Sequence, residues 1–172
     1  MVLILSSCNQ LSPDKDFGAY YTKIQSDEAF EKYSRTGDYP DIIIDLGTNN
    51  GKVIFWRGSS YLPYFENSKG EQSYFPEIVE RSGNSTGIMP DKVNTYSHVK
   101  IIESNVDSVL IHWRYLRDFS KGNPDLGIAP EGFVDEYFAI YPDGKVNRQI
   151  HKGQRKTDDW NNPGNLITQK VI

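Results

Sequence analysis

An all-β, antiparallel sandwich fold with one short N-terminal helix is what this sequence predicts, on three observations. Aromatic residues are abundant: eleven Tyr, eight Phe and three Trp make up 13% of the 172 residues, and with the many Val and Ile they suit a pleated, half-buried surface. Several segments alternate apolar and polar residues with a period of two, the repeat of a strand with one face in a core. Clusters of Gly, Pro and Asn separate these segments at short intervals, as turns between antiparallel strands require. A chain of this length can bury a core as one domain without disulfide staples.

Residues 1–15 read as a truncated lipoprotein signal and linker, and residues 16–172 as a single sandwich domain. Leu5-Ser6-Ser7-Cys8 resembles the lipobox of bacterial lipoprotein signal peptides. Only Met1 to Leu5 precede the serine pair, with no basic residue and an apolar run shorter than the roughly 7 to 15 residues of a usual signal. The expectation is an exported protein, at the cell surface or in the periplasm, lipidated on its single cysteine, Cys8. Its membrane contact is then the lipid anchor alone, because no run elsewhere approaches the ~20 apolar residues of a spanning helix.

After the linker, Ser26 caps a predicted helix over Asp27 to Tyr33, with Asp27 and Glu28 at its positive end and Gly37 ending it. Its expected role is a lid on one sheet edge. Asp41 to Leu46 and Lys52 to Arg57 form the first hairpin, turning through Gly47-Thr48-Asn49-Asn50-Gly51, whose Gly and Asn tolerate positive φ. Pro63 and Pro76 interrupt the next stretch, leaving two short strands, about Ser60 to Glu66 and Gln72 to Phe75, and favour the sheet edge. Arg81 to Lys92 reads as a loop. Tyr96 to Glu103 and Ser108 to Tyr115 then make the central hairpin across Ser104-Asn105-Val106-Asp107. A polar loop from Asp118 to Glu131 is placed to rim a cleft. Gly132 to Tyr141 and Lys145 to His151 pair through Pro142-Asp143-Gly144, Lys152 to Gly164 is loose, and Leu166 to Ile172 is a last strand that reads as cut short, as in a fragment of a longer protein.

The alternation divides the central hairpin into two faces. Val99 and Ile101 oppose Tyr96, His98 and Lys100, while Val109, Ile111, Trp113 and Tyr115 oppose Leu110, His112 and Arg114. The second face holds two of the three histidines, a lysine and an arginine. If the first hairpin lies beside it in one sheet, Arg57, His98, His112 and Arg114 stand together, because cross-strand Cβ atoms are ~4.5 to 5.5 Å apart. Tyr137 or Glu136 from the next strand joins them. Such a group suits an acidic sugar: Arg57 and Arg114 match a carboxylate, while His98, His112 and Tyr137 are the candidate catalytic groups of a uronate β-elimination. The plainer alternative is a solvated face whose cations pair with Asp135 or Glu136.

Trp56 and Trp113 are expected in the core. Tyr61 and Tyr64, beside Pro63 and Gly58, are the better candidates for an exposed platform that stacks on sugar rings; Trp160 fits either role. Zinc-peptidase, serine-hydrolase and phosphate-loop motifs are absent from the sequence. Asp91 and Asp143 fit ordinary turn chemistry better than calcium. No metal and no cofactor are expected. The net charge of −4 and the dispersed basic residues give no footprint for nucleic acid.

Phe55-Trp56-Arg57-Gly58-Ser59-Ser60-Tyr61-Leu62-Pro63, Tyr96 to Glu103, Val109 to Tyr115, Asp135-Glu136-Tyr137 and Ile140-Tyr141-Pro142-Asp143-Gly144 together resemble successive motifs of one family. It is the N-terminal β-sandwich portion of large secreted bacterial proteins that degrade anionic polysaccharides, including ulvan-lyase-like proteins. The resemblance covers about residues 40 to 150. It implies a sandwich of the galactose-mutarotase or supersandwich type whose concave sheet holds sugar, and further domains beyond this chain. The expectation is an exported carbohydrate-active domain that binds or cleaves an acidic polysaccharide, a polysaccharide lyase if catalytic. The alternatives are a non-catalytic carbohydrate-binding module and a structural surface-lipoprotein domain.

Overall fold

The computed structural model describes residues 16–24, 39–76, 94, 96–116, 133–154 and 165–171. The helix expected at Asp27 to Tyr33, Cys8, Trp160 and the two long loops lie outside the described residues. Ten strands are present among the described residues: β1 Gly18–Thr22, β2 Asp41–Asp45, β3 Lys52–Phe55, β4 Pro63–Glu66, β5 Gln72–Tyr74, β6 His98–Ser104, β7 Val109–Leu116, β8 Phe133–Ile140, β9 Lys145–Gln154 and β10 Asn165–Lys170. A single 3-10 turn, Arg57–Ser59, is the one helical element described.

The strands form two antiparallel sheets of five, in the orders β1-β2-β3-β4-β5 and β10-β9-β8-β7-β6. Each is a meander in which sequence neighbours pair, the arrangement short turns favour. The β2–β3 turn closes as its glycines require. Gly47, Asn49 and Gly51 have positive φ, and Leu46 N donates to Gly51 O at 3.1 Å. At Gly51 a Cβ would come within 2.3 Å of the Glu66 carbonyl oxygen, so the neighbouring strand also demands glycine there. β5 is the edge strand that the prolines suggest. β4 lies inside the sheet, and Pro63 is tolerated because it is the strand's first residue.

Both sheets contribute to one apolar core, a sandwich-like packing. Ile42, Ile44, Val53 and Phe55 of the first meet Ile111, Trp113, Val134, Phe138 and Ile140 of the second. Phe138 takes Phe55 and Phe75 edge-on, with centroids 5.2 and 6.0 Å away. Each such pair contributes about 0.5–1.5 kcal/mol beyond area burial. Two hydrogen bonds join the sheets at one side: Ala19 N donates to Ser104 Oγ at 3.0 Å and Ile101 N to Tyr21 Oη at 2.9 Å. Strand β6 carries a bulge between Ile101 and Glu103, a common device at an edge. β1 is not apparent from the sequence pattern, because its five residues show no clean alternation of apolar and polar types.

Candidate functional site

The faces of the central hairpin divide as its alternation predicts. Ile111, Trp113 and Tyr115 enter the core, so His112 and Arg114 lie on the opposite face of the second sheet. Register extends that face over four strands. His98 on β6 stands opposite Arg114, which stands opposite Asp135 on β8, itself opposite His151 on β9. One step along, Lys100, His112, Tyr137 and Gln149 form a parallel row.

The side chains at the centre of these rows interlock. Asp135 Oδ1 is 2.7 Å from His112 Nε2, and Arg114 Nη1 donates to both carboxylate oxygens, at 3.0 and 2.7 Å. The Arg114 guanidinium lies 4.2 Å over the Phe133 ring. The His112 ring stacks on Tyr137 at 4.6 Å and 13°, and Tyr137 meets His151 edge to face at 5.7 Å and 88°. His112, Asp135, Tyr137 and His151 are only 3, 2, 2 and 5% exposed. The centre of this polar face is therefore desolvated, a condition under which charge-assisted hydrogen bonds strengthen. His98 stays exposed at the margin, with Tyr39 edge-on at 5.7 Å.

Arg57 does not join this group. Its hairpin belongs to the other sheet, and its guanidinium pairs with Asp41 and donates to Ile24 O at 3.0 Å. Asp41 also accepts the amide hydrogens of Arg57 and Ile24, both at 2.7 Å. Burial pushes the Asp41 carboxyl upward, against those two amides and the guanidinium, which pull it down. The pair clamps the chain after β1 to the end of β3.

Tyr61 and Tyr64 are buried and do not form the expected exposed platform. Tyr61 belongs to the core and donates to Pro40 O at 3.1 Å, and burial raises its phenol. Tyr64 packs 5.4 Å from Tyr74, and its phenol is pushed up to about 12, first by burial and then by Glu66 and Tyr74. The physical cause is the turn that follows Trp56. Ser60 and Tyr61 both take left-handed backbone (φ 52° and 65°), which folds the segment inward, and Trp113 Nε1 donates to Ser60 O at 3.2 Å. Trp113 is core, as expected, whereas Trp56 is half-buried.

Glu136 is also absent from the polar face. As the neighbour of Asp135 on β8 it points the other way, between the sheets, where it accepts Tyr115 Oη at 2.7 Å and Arg148 Nη2 at 2.6 Å. The residue missed from the sequence is His151. The alternation of Lys145 to His151 sets Asn147, Gln149 and His151 opposite Val146, Arg148 and Ile150, and that signal was sufficient to place it on the polar face.

Among the described residues no group of three or more His, Cys, Asp or Glu could hold a metal ion. No protein-family model, curated protein or solved structure matches this chain.

Proposed function

We propose that this protein handles an acidic polysaccharide on the outer face of its second sheet, chiefly as a binding domain. The observation that supports this reading best is the pair of cross-strand rows, His98-Arg114-Asp135-His151 and Lys100-His112-Tyr137-Gln149. They put cationic, hydrogen-bonding and aromatic groups on one sheet face, the mixture that sugar rings with carboxylates require, with His98 exposed at its margin and His112, Asp135 and Tyr137 buried at its centre. In this reading the margin formed by exposed His98 and half-buried Lys100 meets the ligand's negative charge. Arg114 and Asp135 hold His112 and Tyr137 in place beneath it. The likeness of the sequence motifs to ulvan-lyase-like proteins points the same way, toward a supersandwich-type domain of a larger polysaccharide-degrading protein. Export with a lipid on Cys8 belongs to the same proposal and rests on the Leu5-Ser6-Ser7-Cys8 motif. No helix among the described residues is long and apolar enough to cross a membrane.

A second reading, uronate β-elimination, is favoured by one arrangement. Tyr137 lies between His112 and His151, and His112 is oriented by Asp135. A tyrosine and a histidine so placed would serve as base and acid for removal of the proton at C5 and protonation of the leaving oxygen. Arg114 is committed to Asp135, which takes it from the role of neutralising a substrate carboxylate and makes binding the stronger reading.

One assay separates the outcomes. The chain is mixed with acidic and neutral polysaccharides, and gel retardation is followed beside the ultraviolet absorbance of unsaturated uronates. Retardation by acidic polymers alone, weakened in a His98→Ala/Lys100→Ala double variant, is the expected result. Growing absorbance that His112→Ala or Tyr137→Phe abolishes would promote the lyase reading. Neither signal would make this a structural domain.

A further inference from the structure

Among the described residues, strand β1 is held to the sandwich mainly by polar contacts. None of its five residues is buried, Tyr20 and Tyr21 are exposed, and Phe17 and Ala19 reach the core only as partly buried neighbours. The edge strand on the other side of the same sheet is anchored differently. β5 leads directly into Phe75, which is buried in the core, and Pro76 O accepts Arg148 Nη1 at 2.9 Å. Beyond its ladder with β2, β1 has two exposed hydrogen bonds to β6, Ala19 N to Ser104 Oγ and Ile101 N to Tyr21 Oη. Water replaces such bonds at small cost, so they resist local opening weakly. Just beyond the strand the grip is firmer: Ile24 N donates to Asp41, and Ile24 O accepts from Arg57.

We infer that β1 is a strap hinged at Ile24, which opens from the sandwich as a unit while β2 to β5 stay paired. Opening breaks the β1–β2 ladder and removes the two bonds that join the edges of the sheets at that side. It uncovers the backbone edge of β2, whereas the pairing of β2 with β3 is kept. The device is the same whatever the polar face binds. Ladder geometry supplies its own reporter. Ala19 N points to Ser104, away from β2, so Ala19 and Ile44 are a non-hydrogen-bonded pair, and the bonded pairs are Gly18–Asp45 and Tyr20–Ile43. On β2 the Ile43 amide therefore faces the strap, and the amide of Ile44, one residue on, faces Val53 of β3.

The test is native-state amide hydrogen exchange of the full 15N-labelled chain in low urea, read as protection factors at Ile43 and Ile44. Ile43 exchanges through opening of the strap and is protected about tenfold less, or weaker still, than Ile44, which exchanges only when the rest of the sheet opens. Tyr21→Phe keeps the ring and removes the acceptor of Ile101 N; it speeds exchange at Ile43 roughly fivefold, the scale of one hydrogen bond, and leaves Ile44 unchanged. Ser104→Ala does the same through Ala19 N. If neither variant folds, the wild-type pair of amides decides alone. Equal protection at Ile43 and Ile44 in the wild type, falling together as urea rises, overturns the strap. Equal acceleration of both amides in Tyr21→Phe overturns it as well, because the bridge to β6 then supports the whole sandwich. An Ile43 rate unmoved in both variants overturns the part given to the two bridges.

Discussion

Each sheet contains a buried arginine–aspartate pair, and the two pairs differ in what surrounds the carboxylate. Asp41 is occupied by Arg57 and by two backbone amides. All its partners are structural, and their combined effect is to tie three chain segments together. Asp135 is shared instead between Arg114 and an imidazole, with Tyr137 and His151 beside them. Its neighbours are groups that exchange protons and stack on rings. The same two residue types thus make a clamp in one sheet and the base of a candidate site in the other, and the carboxylate's remaining partners tell them apart. A third buried acid, Glu136, adjoins Asp135 in sequence but lies between the sheets with Arg148 and Tyr115.

This contrast can be broken by mutation. Arg57→Met should cost the most, about 3–5 kcal/mol in urea unfolding, because it strands a fully buried carboxylate without a cation. Glu136→Gln should fall in the lower part of that range: it leaves Arg148 charged in the interior, although Arg148 keeps its bond to Pro76 O. Arg114→Met should cost less, about 1–3 kcal/mol, since Asp135 retains its hydrogen-bond contact with His112 Nε2 at 2.7 Å. Equal losses for Arg57→Met and Arg114→Met would erase the distinction between clamp and site. Polysaccharide retardation sharpens it further: Arg114→Met should weaken retardation, whereas Glu136→Gln protein that remains folded should bind as the wild type does.

The smallest effect concerns the outer face of the first sheet. Burial raises the Glu66 carboxyl, but hydrogen bonds from Lys52 and Gln72 and the charge of Lys52 outweigh it and hold the group below its ordinary value of 4.5. A depressed folded value means that the stabilisation is present above pH 4.5 and is lost as pH falls through the lowered value. Because the pair is partly exposed, the contribution is under about 1 kcal/mol. Urea midpoints measured from neutral to acid pH should show a slightly shallower decline in Glu66→Gln than in the wild type. An unchanged slope would remove Glu66 from the account.

The sequence alone determined the strands from β2 to β10, their hairpin partners, and which side of β7 enters the core. These are local properties: period two assigns faces, and glycine and asparagine at turns assign neighbours. The placement of His112 and Arg114 together follows from the same rule, and so would that of His151. Only the tertiary structure decided which hairpins share a sheet. Nothing local distinguishes the open edge of one meander from that of another, so Arg57 could be set beside His112 on sequence grounds although it belongs to the opposite sheet. Burial was likewise decided at long range. Tyr61 and Tyr64 occupy positions that suit an exposed platform, but a left-handed turn at Ser60 and Tyr61, held by Trp113 fifty-three residues away, folds that segment inward. Side-chain alternation is set within a strand, whereas partner and solvent access are set by which distant edges and faces close over it.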